Sequence, residues 1–216
     1  MEFHVTTVAK VNFDYALKDL QRLRALSSGG ASSRPGRPDP KLEVYKRSAV
    51  ILTVTAWESY IEDTLRAAAT ARIDAAESAN DVMSAFAPAA LGWLSDEKRR
   101  KPEFLLSWTG DGWKAKIKEQ LQKELEKLNT PDVSNISKLS TRYLGMDLPS
   151  KWYWQSTSAI KAKKWLDQLI NLRGKLAHRT KEFYESAQVK HADVVKSIEL
   201  VRHLVDRTEK VVGEMR

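Results

Sequence analysis

The sequence has no cysteine among its 216 residues, which excludes disulfide bonds and thiolate metal ligands. It also has no apolar run of 18 residues, because the longest, "SAVILTVTAW", leads directly into Glu58. The first 20 residues lack the basic start and continuous apolar core of a signal peptide. Together these absences predict a cytoplasmic protein with no membrane-spanning segment and no cofactor.

Histidine is scarce and scattered, which argues against a metal site. There are four histidines, and neither His191 nor His203 has a carboxylate or a second histidine four residues further on. His4 lies apart from them near the beginning of the sequence. We expect no bound metal, and we interpret His191 and His203 as residues of the surface or the edge of the core.

Apolar residues recur at helical spacing along nearly the whole chain, and no alternating strand pattern is found. The pattern predicts an all-α helical bundle in a single domain, 1–216, with a long, largely buried central helix at 42–73. The other predicted helices are 7–26, 79–86, 96–107, 111–129 with Asp111 as N-cap, 132–143, 158–177 and 188–215. The Ser-, Gly- and Pro-rich stretch 27–40 predicts a mobile loop, and 75–110 an irregular insertion of short helices.

The net charge is +8, and nearly all of it lies in one short stretch. Between Lys151 and Lys181 eight lysines and arginines accompany a single acidic residue, Asp167. A basic region this local suits a polyanion such as RNA, although a solvated lysine-rich helix face is an equal alternative on charge alone. The aromatic cluster 152–154, "WYW", lies in the same region and has two interpretations, packing beneath the helices or stacking on RNA bases.

Within the basic region, "NLRGKLAHR" at 171–179 contains Arg173 and His178, five residues apart. On a regular helix they are about 140° apart, so they converge on one substrate only where the helix loosens, which Gly174 favours. An imidazole can take the proton of a ribose 2′-hydroxyl, and a guanidinium can bind the phosphate that is attacked. The same residue types also complement the C-terminal end of a helix dipole, and this structural alternative stays open.

The motif "LRGKLAHR" resembles the Arg-x4-His signature of the HEPN superfamily. The segment 49–65, "AVILTVTAWESYIEDTL", is similar to the second helix of its RiboL-PSP-HEPN branch, and the likeness extends over about 40–212. The resemblance implies an all-α homodimer in which two such motifs face each other. It also implies metal-independent endoribonuclease activity on single-stranded RNA, often in toxin–antitoxin or anti-phage systems.

Carried onto this chain, the resemblance makes Arg173 and His178 the catalytic pair. Glu58, at the acidic position of the long helix, would orient one of them. Basic neighbours would bind the RNA, namely Lys161, Lys164, Lys175 and Arg179. Gly174 departs from the family pattern, in which this position is commonly polar and often Asn.

Two other classes of function remain open because of Gly174 and the basic face. One is a catalytically inactive HEPN-like module that binds RNA or protein. The other is a helical scaffold or regulatory subunit whose basic face binds an acidic antitoxin or another inhibitor protein.

Overall fold

The computed structural model describes residues 7–28, 40–95, 106–128, 130–177 and 189–215. These residues form seven α-helices and no strand, which confirms the predicted all-α class. The helices are α1 (Val8–Ser27), α2 (Pro40–Ala75), α3 (Met83–Ser95), α4 (Gly112–Glu126), α5 (Val133–Leu144), α6 (Ala159–Ala177) and α7 (His191–Gly213). No described helix is long and apolar enough to cross a membrane.

The chain packs as two compact units, one of residues 1–61 and 149–216 and the other of residues 62–148. The long helix α2 contributes its first part to the former and its last part to the latter. We call them the first and the second unit. The expectation of a single domain stays a prediction, and most of the predicted 27–40 loop falls outside the described residues.

The core of the first unit is built around two tryptophans. Trp57 of α2 and Trp152 are both fully buried, and their rings meet edge to face with centroids 5.5 Å apart. The indole N–H of Trp152 donates a 3.0 Å hydrogen bond to Thr208 of α7, so the polar atom is satisfied inside the core. Helices α1 and α6 both pack against α7. Through its contact with α7, this core supports α6, the helix that carries Arg173.

The second unit has its own apolar core, formed by the stripes of α4 and α5 with the end of α2. Its buried residues include Ile73, Ile117, Leu121, Ile136 and Tyr143. Here the prediction needs a correction, because helix α3 runs from Met83 to Ser95 through Pro88, whereas a helix ending at 86 was expected. The alanine-rich sequence keeps a high helix propensity around the proline, and Ala85 and Ala89 are buried on one side.

Asp111 precedes α4 as predicted, but its side chain does not cap the helix. Its φ of −85° and ψ of 5° are not the extended values of a capping residue, and its side chain accepts no N–H from the first turn. The carboxylate instead lies 3.4 Å from the ammonium of Lys114. The predicted helix beginning at 96 falls mostly outside the described residues, and a single 3₁₀ turn is found at Leu106–Trp108.

Candidate active site

Arg173 lies on the buried face of α6 although it is charged. On a helix it is aligned to within about 20° with Ala162 and Leu166, both of which are fully buried. Leu169 and Leu176, one turn before and after it, are buried as well. The sequence therefore directs this guanidinium toward the interior of the first unit, where a charged group needs a partner.

That partner is Glu58 of α2. The Nη2 atom of Arg173 lies 3.6 Å from Oε2 of Glu58, and the two side chains are 34% and 16% exposed. Two further atoms of the pair, Nε of Arg173 and Oε1 of Glu58, are buried without a hydrogen-bond partner among the described residues. The pair is thus held together by charge, and its hydrogen-bonding capacity is not exhausted.

Burial and charge act in opposite directions on the carboxyl group of Glu58. Burial raises the pKa of Glu58 above its ordinary value, and the nearby Arg173 guanidinium lowers it by a smaller amount. A half-buried carboxylate in this position restricts where the guanidinium can point. Arg173 is one-third exposed, and within the described residues Glu58 is its only ion-pair partner, so its other N–H groups can bind an anionic oxygen that approaches from solvent.

Helix α6 stays regular through Gly174 and ends at Ala177. The expected loosening between Arg173 and the end of the helix is therefore not found, and a Cβ placed on Gly174 would meet no described residue within 4 Å. His178 follows the last helical residue directly, but His178 itself lies outside the described residues, as does Arg179. Their geometry relative to Arg173 stays a prediction.

The three described lysines of the predicted RNA-binding set do not share the face of Arg173. Around the axis of α6, Lys161, Lys164 and Lys175 lie about 120°, 180° and 160° from Arg173. All three are exposed to solvent, as their position opposite the buried face requires. Helix α6 thus presents a basic outer face and, on its inner face, the guanidinium that meets Glu58.

The aromatic cluster divides into three different environments. Trp152 is core, which confirms packing beneath the helices for that residue, whereas Tyr153 is exposed with Arg207 4.3 Å above its ring. Trp154 stacks on His203 of α7, with ring centroids 5.0 Å apart and planes 16° from parallel. The stack was not expected, because nothing in the sequence pairs residues 49 positions apart.

The apolar spacing of 158–177 places Ile160 and Trp165 on one side with Leu169, Leu172 and Leu176 and so predicts that Trp165 is core; this prediction is wrong. Trp165 is 41% exposed because α6 directs Ala162, Leu166 and Leu169 inward, so that it lies at the edge of the buried face. Ile160, assigned to the same apolar side, is 77% exposed. Instead, Trp165 lines an open pocket between α6 and α7, together with Trp154 and His203.

No group of three or more potential metal-ligating side chains is found among the described residues. The chemistry of the site must be considered from the arginine, the glutamate and the neighbouring histidine of the sequence. An Arg–Glu pair of this geometry can bind and orient an anionic group such as a phosphate. Histidine is the side chain that most often acts as a general base near neutral pH, and His178, which follows α6 in the sequence, lies outside the described residues.

Comparison with known families gives a match that covers most of the chain. The family model RiboL-PSP-HEPN matches residues 13–214. The chain therefore belongs to the RiboL-PSP-HEPN family, as its motifs indicated, and the match supports a nuclease or RNA-binding module of the HEPN type. Comparisons with the curated proteins and with the solved structures found no match.

Proposed function

We propose that this member of the RiboL-PSP-HEPN family is a metal-independent endoribonuclease that cleaves single-stranded RNA. The observation that carries the proposal is the half-buried Arg173–Glu58 pair, which holds a guanidinium five residues before His178 in the sequence. An arginine whose only role is to complement the dipole at the end of a helix would not need a carboxylate from another helix to position it. The fixed guanidinium is what phosphate binding requires.

In the proposed reaction the imidazole of His178 takes the proton from a ribose 2′-hydroxyl. The 2′-oxygen attacks the adjacent phosphorus, the bond from phosphorus to the 5′-oxygen breaks, and a 2′,3′-cyclic phosphate forms. Arg173 binds the non-bridging oxygens, on which negative charge increases in the transition state. The leaving 5′-oxygen takes a proton from a second imidazole, so that the products are a cyclic phosphate and a 5′-hydroxyl.

A second copy of the chain is the source of that second imidazole in our proposal. The acid and the base act on opposite sides of the phosphorus, and one histidine cannot reach both. The exposed face of α2 supports self-association, because it carries an uncharged stripe beside Glu58. The stripe consists of Val44, Ser48, Leu52, Thr55 and Ser59, and Val44 and Leu52 are 55% and 45% exposed.

The test is cleavage of a labelled single-stranded RNA by purified protein in EDTA, with analysis of the product ends. We expect a 2′,3′-cyclic phosphate from the wild type, and loss of cleavage in Arg173→Ala and His178→Ala with unchanged circular dichroism. His191→Ala is the matched control, since His191 hydrogen-bonds Ser27 in the same unit and has no role in the reaction. Equal cleavage by His178→Ala and wild type would rule out this mechanism.

A non-catalytic module is the second candidate, and Gly174 favours it. This glycine removes the polar side chain that commonly follows the motif arginine, so one contact to the substrate or to the partner copy is missing. If wild type and His178→Ala bind RNA equally strongly and neither cleaves it, the hypothesis of a non-catalytic module is supported. A scaffold that binds an acidic antitoxin or inhibitor through its lysines would instead bind that protein and not RNA.

We extend the proposal to the biological setting that the family resemblance implies, a cytoplasmic toxin of a toxin–antitoxin or anti-phage system. Expression of the wild type in a host cell should then arrest growth, while Arg173→Ala and His178→Ala should not. Arrest that persists in both variants would contradict a toxin that acts through RNA cleavage.

A further inference from the structure

A pocket of about 560 Å³ lies between α6 and α7, away from the Arg173–Glu58 pair. Its volume is within the range of small-ligand sites. The apolar part of its lining consists of Leu169 and Leu172 of α6, Leu200 of α7 and the rings of Trp154 and Trp165. No step of the proposed reaction uses any of these residues.

The walls of the pocket offer aromatic faces. Trp154 is held parallel to the imidazole of His203, and Trp165 remains 41% exposed at the opening. Leaving so large an apolar ring in water is unfavourable, and its position beside two further rings is typical of a site for a flat ligand. Planar rings stack on such faces whatever their hydrogen-bonding pattern.

Positive charge lies along the same side of α6. Lys161 precedes Trp165 by one turn, Lys164 precedes Gln168 by one turn, and Lys196 of α7 is in the lining itself. These three lysines are exposed, and within the part of the chain that the structure describes none of them forms an ion pair. Their charge is available to an anionic ligand.

The two acidic residues of the lining have partners of their own. Glu199 lies 2.7 Å from Arg202, and the carboxylate of Asp193 accepts the backbone N–H of Lys190 at the beginning of α7. The charge of Glu199 is thus balanced by Arg202, and one oxygen of Asp193 faces the backbone at the beginning of α7. Aromatic walls with exposed lysines around them are chemically complementary to a nucleobase joined to phosphates.

We propose that this pocket binds an unpaired nucleobase of the RNA, with the flanking phosphates on Lys161, Lys164 and Lys196. The identity of the ligand as RNA rests on the proposed function, but binding in this pocket needs no cleavage. Trp165 lies eight residues before Arg173, which is about 12 Å along the helix and about 80° around it. The bound nucleotide is thus not the one that is cleaved, and the pocket holds the strand beside the scissile phosphate.

The experiment measures binding of a labelled oligouridylate of about eight nucleotides, a length within the range of single-strand binding sites. All proteins carry Arg173→Ala and are kept in EDTA, so that the RNA stays intact. Trp165→Ala should weaken binding about tenfold, the scale of one base–aromatic stack. Ile160→Ala is the matched control, because Ile160 is an exposed apolar residue of the same helix about 140° away from Trp165.

A second ligand separates stacking from charge. A ribose-phosphate oligomer of the same length without bases should bind Trp165→Ala and the parent protein equally. Lys161→Ala and Lys164→Ala should weaken both ligands by similar factors, since they contact phosphates. If Trp165→Ala and the parent bind oligouridylate with equal affinity, the proposal is overturned. It is also overturned if Trp165→Ala weakens binding of the base-free oligomer by the same factor as binding of oligouridylate.

The failure of this proposal is distinct from the failure of the proposed function. If the wild type cleaves RNA and Trp165→Ala does not change RNA affinity, the proposal for the pocket is wrong and the proposed nuclease activity stands. If the wild type does not cleave RNA but Trp165→Ala lowers RNA affinity tenfold, the proposed nuclease activity is wrong and the proposal for the pocket stands. If Trp165→Ala splits a dimer and leaves RNA affinity unchanged, the pocket holds a second copy of the chain and the proposal is wrong.

Discussion

The guanidinium of Arg173 and the carboxylate of Glu58 lie 3.6 Å apart, although 115 residues separate them in the sequence. Each retains a buried polar atom without a hydrogen-bond partner among the described residues. Such a pair positions the arginine without consuming all of its donors. Its consequences can be measured both in activity and in stability.

Glu58→Gln should lower the rate of RNA cleavage about tenfold, because the amide no longer holds the guanidinium by charge and small displacements of a catalytic group are costly. The measurement is the single-turnover rate at saturating RNA in EDTA. Asp63→Asn is the control on the same helix, where the carboxylate pairs with exposed Arg66. Equal rates for Glu58→Gln and wild type would show that Glu58 does not position Arg173.

The raised pKa of Glu58 predicts a pH-dependent difference in stability between wild type and Glu58→Gln. A carboxyl group whose folded pKa lies above its unfolded pKa binds its proton more tightly in the folded state, so stability is lost as pH rises through the folded value. We expect wild type to lose stability relative to Glu58→Gln as pH rises from about 4.5, the ordinary value, through the raised one. Urea unfolding of both proteins across that range checks the sign, and a difference that changes in the opposite direction would contradict it.

Gly174→Ala should stabilise the protein by about 1 kcal/mol and raise Tm by about 2–4 °C, because alanine is the better helix former in a regular helix. The new Cβ meets no described residue within 4 Å, so no steric cost is expected. Thermal unfolding measures the gain, and RNA cleavage should be unchanged. Lower activity at higher Tm would show that the reaction needs the helix to open at Gly174, as the sequence alone suggested.

Leu52→Glu should weaken self-association through the uncharged stripe of α2 and reduce cleavage in parallel. A charge placed on this face must be buried or repelled when a second copy packs against it. Val8→Glu, on α1, is the control because Val8 is also apolar and strongly exposed. Sedimentation at several concentrations gives the dissociation constant, and an unchanged constant for Leu52→Glu would exclude this face as the interface.

The helices and the family could be predicted from the sequence because both depend on local patterns. Apolar spacing placed the beginning of α1 within one residue of Val8, and the motif with its flanking segments indicated the family that the family model then matched. The arrangement of side chains around α6 could not be read in the same way. Its apolar residues define two overlapping stripes, and only packing reveals that Ala162 and Leu166 are core and Trp165 is not.

The partner of Arg173 was anticipated only through the resemblance, since a glutamate at position 58 has no local signal that links it to position 173. The stack of Trp154 on His203 had no signal at all, because it depends on how the segment before α6 crosses α7. In the sequence alone, the lysines of the basic region form one group that is not divided between helix faces. Their angular positions follow only when the helix is known to be regular from Ala159 to Ala177.

The separation of Lys161, Lys164 and Lys175 from Arg173 around α6 makes ionic strength act differently on the two steps of the proposed reaction. Each exposed lysine that neutralises a phosphate releases counterions, so the logarithm of the affinity for single-stranded RNA should fall with the logarithm of the salt concentration, with a slope of about −0.7 per lysine. Arg173 is shielded by its own carboxylate partner, and its contact with a bound phosphate is far less exposed to mobile ions. Added salt would therefore raise the RNA concentration needed for half-saturation and leave the rate of RNA cleavage in the bound complex nearly constant.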